Sequence, residues 1–155
     1  MLEQRYFTSV FVIFNVMRIL FLCKANVGRS QIAAGLYNKL TNSTDADSAG
    51  TYVDFPGETL LERRNRRGGT YTIDVMAEEG VNVSNNVRTQ LTPEMLKSYG
   101  KIISMAEPDF TPAWLSENAN YTYWEVADPQ GKDFEATFEA KEKIKARITE
   151  FLLQS

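Results

Sequence analysis

The sequence has no histidine, and in 155 residues it has a single cysteine, Cys23. The first absence excludes metal sites built on imidazole and every catalytic triad that uses His as its base. The second excludes an internal disulfide framework. Charge of one sign is also lacking: 17 Lys and Arg stand against 20 Asp and Glu, a net of -3. No global field is available to hold nucleic acid or an anionic membrane. Any attraction for an anion must therefore be local, and a lone thiol without a His neighbour needs another means of activation.

What is present suits one globular unit, because 43% hydrophobic residues over this length can bury a real core. The stretch from Tyr6 to Leu22 is mostly apolar behind Glu3, Gln4 and Arg5, in the manner of a signal peptide. Ser9, Asn15 and Arg18 interrupt it, no small-residue cleavage site follows, and its second half runs straight into Cys23. The expectation is a short N-terminal extension over residues 1–16, a single domain over 17–155, no membrane span and a cytoplasmic location.

Val10 to Leu22 is apolar without polar alternation, the pattern of a strand buried on both faces of a parallel sheet. Ile32, Leu36 and Leu40, with Ala33 and Tyr37 beside them, then recur at helical spacing and predict a helix over Ser30 to Leu40. A second strand is expected at Asp47 to Gly50. The stretch carrying Pro56, Gly57, Gly68 and Gly69 reads as irregular. A helix from Thr72 to Glu79 should stop at Gly80, and Thr92-Pro93-Glu94 should open another that reaches Tyr99.

Lys101 to Ala106 and Tyr121 to Val126 are two further strand candidates, with Pro112 to Ser116 helical between them. Phe134, Phe138, Ile144, Ile148, Phe151 and Leu152 draw one apolar stripe, broken by Lys141, and predict a closing helix over Phe134 to Leu153. Strands interleaved with helices imply an α/β fold: a three-layer, doubly wound, four-stranded parallel sheet with helices on both faces. Its site should lie at the carboxyl ends of the strands.

Cys23-Lys24-Ala25-Asn26-Val27-Gly28-Arg29-Ser30 has the form C-x5-R-S between the first strand and the first helix. Five intervening residues let the loop curl so that backbone N–H groups point inward, making an anion nest above a helix N-terminus. The donors that hold an oxyanion also favour thiolate over thiol, the activation that the missing histidine cannot supply. Arg29 closes the ring with a planar fork matched to two phosphate oxygens. With nine arginines in the chain, an Arg six places after a given Cys is about a one-in-seventeen accident, and Ser30 and the strand–helix context reduce it further. The plain alternative is a small buried Cys at a strand end and a surface Arg.

The segment Ile19-Leu-Phe-Leu-Cys-Lys-Ala-Asn-Val-Gly-Arg-Ser-Gln-Ile-Ala-Ala34 resembles the opening of the low-molecular-weight protein tyrosine phosphatases and of their thioredoxin-coupled arsenate reductase relatives. Asp47-Ser-Ala-Gly-Thr51 resembles that family's second-strand segment, and Asp128-Pro129 falls near the C-terminus, where the family carries its general acid. The resemblance covers most of residues 17–154 and makes 17–155 a phosphatase domain. It implies that Cys23 attacks phosphorus, that Asn26 and Ser30 order the loop and support the thiolate, and that Arg29 binds phosphate. Asp128 would protonate the leaving oxygen. Lys24, Ala25, Val27 and Gly28 complete the substrate-binding loop. No cofactor or metal is implied.

The chemistry asks for the same acid without the family, since a thiolate displacing an alkoxide or phenolate needs a proton donor on the far side of phosphorus. A turn-forming Asp-Pro is the plain alternative for Asp128. Two departures matter. Gly28 stands where the family's phosphatases often have a second cysteine, and Gln130 and Gly131 replace the aromatic residues that often follow Asp-Pro. Tyr52 and Phe55 are candidates for a replacement pocket wall or for loop packing.

Arg63, Arg64, Arg66 and Arg67 crowd into what reads as a loop insertion, either a solvated charged loop or a patch that draws phosphorylated substrates. The expected function is cysteine-dependent hydrolysis of phosphotyrosine or similar phosphate monoesters, on a phosphorylated protein or a small ester. Two rivals remain: arsenate reduction coupled to a small-molecule thiol, since the thioredoxin-coupled version needs two more cysteines, and a non-catalytic oxyanion-binding module.

Overall fold

A strand buried on both faces must sit in the middle of a covered sheet, and Ile19–Cys23 (β1) does. All its residues are buried, and it pairs in parallel with Ala46–Gly50 (β2) on one side and Lys101–Ser104 (β3) on the other. Tyr121–Tyr123 (β4) pairs in parallel with β3, giving the order β2-β1-β3-β4. The computed structural model describes residues 18–154. The N-terminal extension and the part of the expected first strand before Arg18 lie outside the described residues.

Arg29–Thr41 (α1) joins β1 to β2. Leu60–Arg67 (α2), Thr72–Glu78 (α3) and a 3-10 turn at Pro93–Ser98 carry the chain to β3. A second 3-10 turn at Pro108–Phe110 and Ala113–Ser116 (α4) lead to β4, and Phe134–Leu153 (α5) closes the chain. This is the doubly wound, three-layer arrangement that the alternation of elements implies. Side chains alternate along β1: Ile19 and Phe21 join Ile32, Leu36, Val75, Ile144 and Ile148 on the face covered by α1, α3 and α5. Leu20 and Leu22 join Leu91, Leu96 and Leu115 on the other. Each such side chain, fully buried, contributes about 1.5–3 kcal/mol. Among the described residues no helix is long and apolar enough to cross a membrane.

Three expectations change. The arginine-rich stretch is a helix, α2, not a loop insertion: Thr59 accepts from the Glu62 N–H at 3.1 Å while Glu62 accepts from the Thr59 N–H at 3.0 Å. This reciprocal capping box ties down two N–H groups that would otherwise be orphaned. Pro93–Ser98 winds as a 3-10 turn, with Met95 N–H bonded to the Thr92 carbonyl and Tyr99 N–H to that of Leu96. The two later strands are also shorter than their apolar runs, because just past their ends the carbonyls of Met105 and Val126 turn to Arg29 at 2.7 and 2.9 Å.

Lys141, the break in the α5 stripe, is 3% exposed. Its Nζ lies 2.8 Å from Glu79, at the end of α3, so it cross-links two helices from within the apolar layer.

Candidate active site

The loop from Lys24 to Gly28 joins the carboxyl end of β1 to the N-terminus of α1, whose cap, Gly28, offers no side-chain hydrogen bond. The first-turn N–H groups of α1 are thus left for an external acceptor. Such a loop can turn its N–H groups inward only if its carbonyls find donors elsewhere. They do. The Cys23 carbonyl accepts from Thr51 N–H at 2.9 Å, Lys24 from Tyr52 N–H at 2.8 Å, and Gly28 from Ile32 N–H at 2.9 Å. The Ala25 carbonyl accepts from Arg88, and that of Asn26 from the Gln31 amide at 3.3 Å.

Asn26 takes the left-handed region at φ +56°, a conformation Asn tolerates better than most residues. Its amide donates to Ser30 Oγ at 2.7 Å and to Ser48 Oγ at 3.0 Å, and its Oδ1 accepts from Thr89 N–H at 2.8 Å. Because Ser30 Oγ accepts there, its own proton is free for Cys23 Sγ, 3.0 Å away. Gly50, paired with Cys23 across the sheet, leaves the loop room: a Cβ on it would stand 2.7 Å from the Lys24 carbonyl oxygen and 2.9 Å from Asn26 N.

Arg29 is 2% exposed. Besides the two strand-end carbonyls, its Nη1 meets Glu107 Oε2 at 2.8 Å, while Nη2 meets Glu107 Oε1 at 3.2 Å and lies 3.7 Å from Asp128 Oδ2. Burial works against this charge, but Glu107, the Cys23 sulfur and Asp128 outweigh it and raise the Arg29 pKa. Burial likewise opposes ionisation of Glu107, and the bond from Arg29 overcomes it, lowering the pKa of that carboxyl. Nε has no hydrogen-bond partner among the described residues. The Nε–Nη2 edge is the fork that can face two oxygens of an anion.

Asp128 folds back on its own turn, its Oδ1 accepting from Gln130 N–H at 3.0 Å. Cys23, Arg29 and Asp128 line one cleft, with Ala25, Val27 and Gly28 on the loop side and Gly69 to Thr72 opposite. Asn26 and Ser30 are wholly buried beneath it. Lys24 lies outside it, its Nζ over the Phe110 ring at 3.9 Å. Tyr52 packs edge-on against Phe110 and Phe55 lies under Arg66, and neither lines this cleft.

The four clustered arginines do not face the cleft either. Arg63 is buried and donates to the Gly68 carbonyl at 2.9 Å. Burial first, and then the neighbouring Arg67, Arg88 and Arg66, lower its pKa. Arg64 pairs with Asp74 and Arg66 with Glu58.

Sequence reasoning missed Glu107, Tyr71 and Arg88, and gave Ser48 no role although it lies in the Asp47-Ser-Ala-Gly-Thr51 segment. The first three stand in no local motif, because each reaches the site from a segment distant along the chain. Only α2 had a readable signal, the Thr59-x-x-Glu62 capping box.

A lone cysteine and a buried arginine meet on a strand–loop–helix turn at the carboxyl edge of the doubly wound sheet, the place where α/β folds of this kind carry their sites. Residues 18–155 match the model of the low molecular weight phosphotyrosine protein phosphatase family, and the chain belongs to that family. Arsenate reductase 1 of Staphylococcus epidermidis is 24% identical over 134 residues, 86% of this chain and 93% of that protein. Vibrio vulnificus Wzb, solved in complex with benzylphosphonate, superposes with a TM-score of 0.75 at 21% identity, covering 90% of this chain and 99% of Wzb. The YwlE arginine phosphatase of Geobacillus stearothermophilus superposes with a TM-score of 0.71 at 21% identity, covering 89% and 92%. Both structural likenesses are of fold.

Proposed function

We propose that this protein is a cysteine-dependent phosphatase that hydrolyses phosphotyrosine or a similar phosphate monoester through a phosphocysteine intermediate, with no cofactor. The convergence of Cys23, Arg29 and Asp128 on one cleft carries the reading. A module that only binds oxyanions has no use for the third. In the first step the Cys23 thiolate attacks phosphorus, the bond from phosphorus to the leaving oxygen breaks, and the Asp128 carboxyl gives that oxygen its proton. Inward N–H groups and the open edge of Arg29 hold the equatorial oxygens. In the second step water attacks phosphorus, its proton passes to the Asp128 carboxylate, and the S–P bond breaks to release inorganic phosphate. The Ser30 hydroxyl meets the departing thiolate.

The substrate is a phosphorylated protein or a small phosphate ester, and neither nucleic acid nor membrane is a partner. A single reactive thiol suits a reducing compartment, the cytoplasm. Purified protein should hydrolyse a small aryl phosphate in the presence of a chelator, and Cys23→Ser should abolish turnover. Asp128→Asn should slow poor leaving groups by roughly 10²-fold or more and good ones less. Reduction of arsenate with a low-molecular-weight thiol, in a protein that hydrolyses no phosphate ester, would overturn the reading in favour of the rival from the reductase branch.

A further inference from the structure

The donors that hold the outward carbonyls of the loop are not alike. Those of Cys23, Lys24 and Gly28 are met by main-chain N–H groups, and that of Asn26 by a neutral amide. Only Ala25 is met by a charge: Arg88 Nε and Nη2 both donate to its carbonyl, at 3.2 and 2.9 Å. Arg88 is 1% exposed, does not line the cleft, and has no part in the chemistry above. Its remaining donors are held from the far side, Nη1 by Glu58 Oε2 and Nη2 by Asp54 Oδ1, each at 2.7 Å.

We infer that Arg88 is a positioning residue for oxyanion binding: clamped by Asp54 and Glu58, it fixes the Ala25 carbonyl away from the cleft and so keeps the loop's N–H groups turned in. The physical reason is the cost of the alternative. A loop of inward N–H dipoles repels itself when no anion is bound, and the peptide at Ala25 can relieve that repulsion by flipping its carbonyl inward. A bidentate, buried guanidinium is the donor best suited to prevent the flip, because its geometry is fixed and a charged donor binds a carbonyl more strongly than a neutral one. Thr89, the next residue, donates its N–H to Asn26 Oδ1, so the segment after Arg88 grips the loop at two successive residues.

The inference rests on the reading of the loop as the phosphate cradle, and the test separates the two. Inorganic phosphate is titrated into wild type and Arg88→Lys by calorimetry, with kcat and KM for an aryl phosphate measured alongside. Arg88→Lys keeps a cation against Asp54 and Glu58, which guards against simple failure to fold, but a single ammonium cannot span both carboxylates and the Ala25 carbonyl. Its phosphate affinity should fall roughly tenfold or more while its circular dichroism stays native. In Arg88→Ala, added guanidinium ion should recover part of the loss. Unchanged phosphate affinity in a folded Arg88→Lys overturns the positioning role. A wild type that fails to bind phosphate overturns the phosphatase reading instead.

Discussion

Arg29 and Lys141 are two equally hidden cations in different regions of the molecule, and what surrounds each decides what it is for. Lys141, in the seam between α3 and α5, is saturated: Glu79 at 2.8 Å, Glu142 at 3.5 Å, and the Phe138 ring 4.3 Å from Nζ. Arg29, at the carboxyl edge of the sheet, spends Nη1 on two carbonyls and Glu107 and leaves Nε unspent. A buried charge that is fully answered ties helices together. One that keeps a donor edge open in a cleft has the fork that the proposed phosphate ester would need.

The contrast is broken most sharply at Arg29. Arg29→Lys should reduce kcat for an aryl phosphate by roughly 10²–10³-fold per folded molecule, because one ammonium cannot replace the fork. If lysine serves as well as arginine, the open edge has no role in turnover. Next in size is Glu79→Gln, which leaves Lys141 without its main partner and should cost about 3 kcal/mol in denaturant unfolding. The kcat of the folded fraction should hold.

Glu79 also sets a pH dependence. The bond from Lys141, then that from Lys145, outweighs burial and lowers its pKa. Its contribution is therefore complete above the ordinary carboxylate range and is lost as pH falls through the lowered value. Acid unfolding of Glu79→Gln should be correspondingly shallower than that of wild type.

Gly50→Ala tests the strand that backs the Cys23 loop. Its new Cβ would stand within 3 Å of loop backbone on the Lys24 and Asn26 side. About 1–3 kcal/mol of stability should go, and KM for an aryl phosphate should rise because the loop from Lys24 to Gly28 itself moves. The smallest effect belongs to Arg67, which makes no ion pair among the described residues. Arg67→Gln should leave stability within about 0.5 kcal/mol and kcat/KM unchanged at low and high salt. A salt-dependent loss would restore the idea of a steering patch.

The parts of this site readable from sequence are those that sit together in it. Cys23 to Ser30 carries its own geometry, since a buried strand, a short curled loop and a helix start follow from consecutive residues. Asp128 was readable only by the resemblance of Asp128-Pro129 to the family's segment and by the need for a proton donor opposite the thiolate. Arg63 reads as one more surface charge, and Arg88 as nothing in particular, because no local pattern marks a residue whose partners are Gly68 in one case and Ala25, Asp54 and Glu58 in the other. Lys141 reads as a flaw in a stripe. Long-range pairs decide Arg88 and Lys141, while a carbonyl five residues further on, presented by the turn after α2, decides Arg63.

The sequence alone determined the central strand, the helix stripes, the C-x5-R-S loop with its single thiol, and the absence of any imidazole or second thiol to help it. These follow from local periodicity, from turn residues and from composition, each of which is complete within a short window of chain. Tertiary structure decided which arginine faces the cleft and which ones brace or cap, where the strands stop, and that Gly69 to Thr72 rather than Tyr52 and Phe55 line the present cleft. Those outcomes depend on which carbonyl, carboxylate or ring arrives from elsewhere to meet each buried charge. That meeting is fixed by how the layers pack and by nothing in the neighbouring residues.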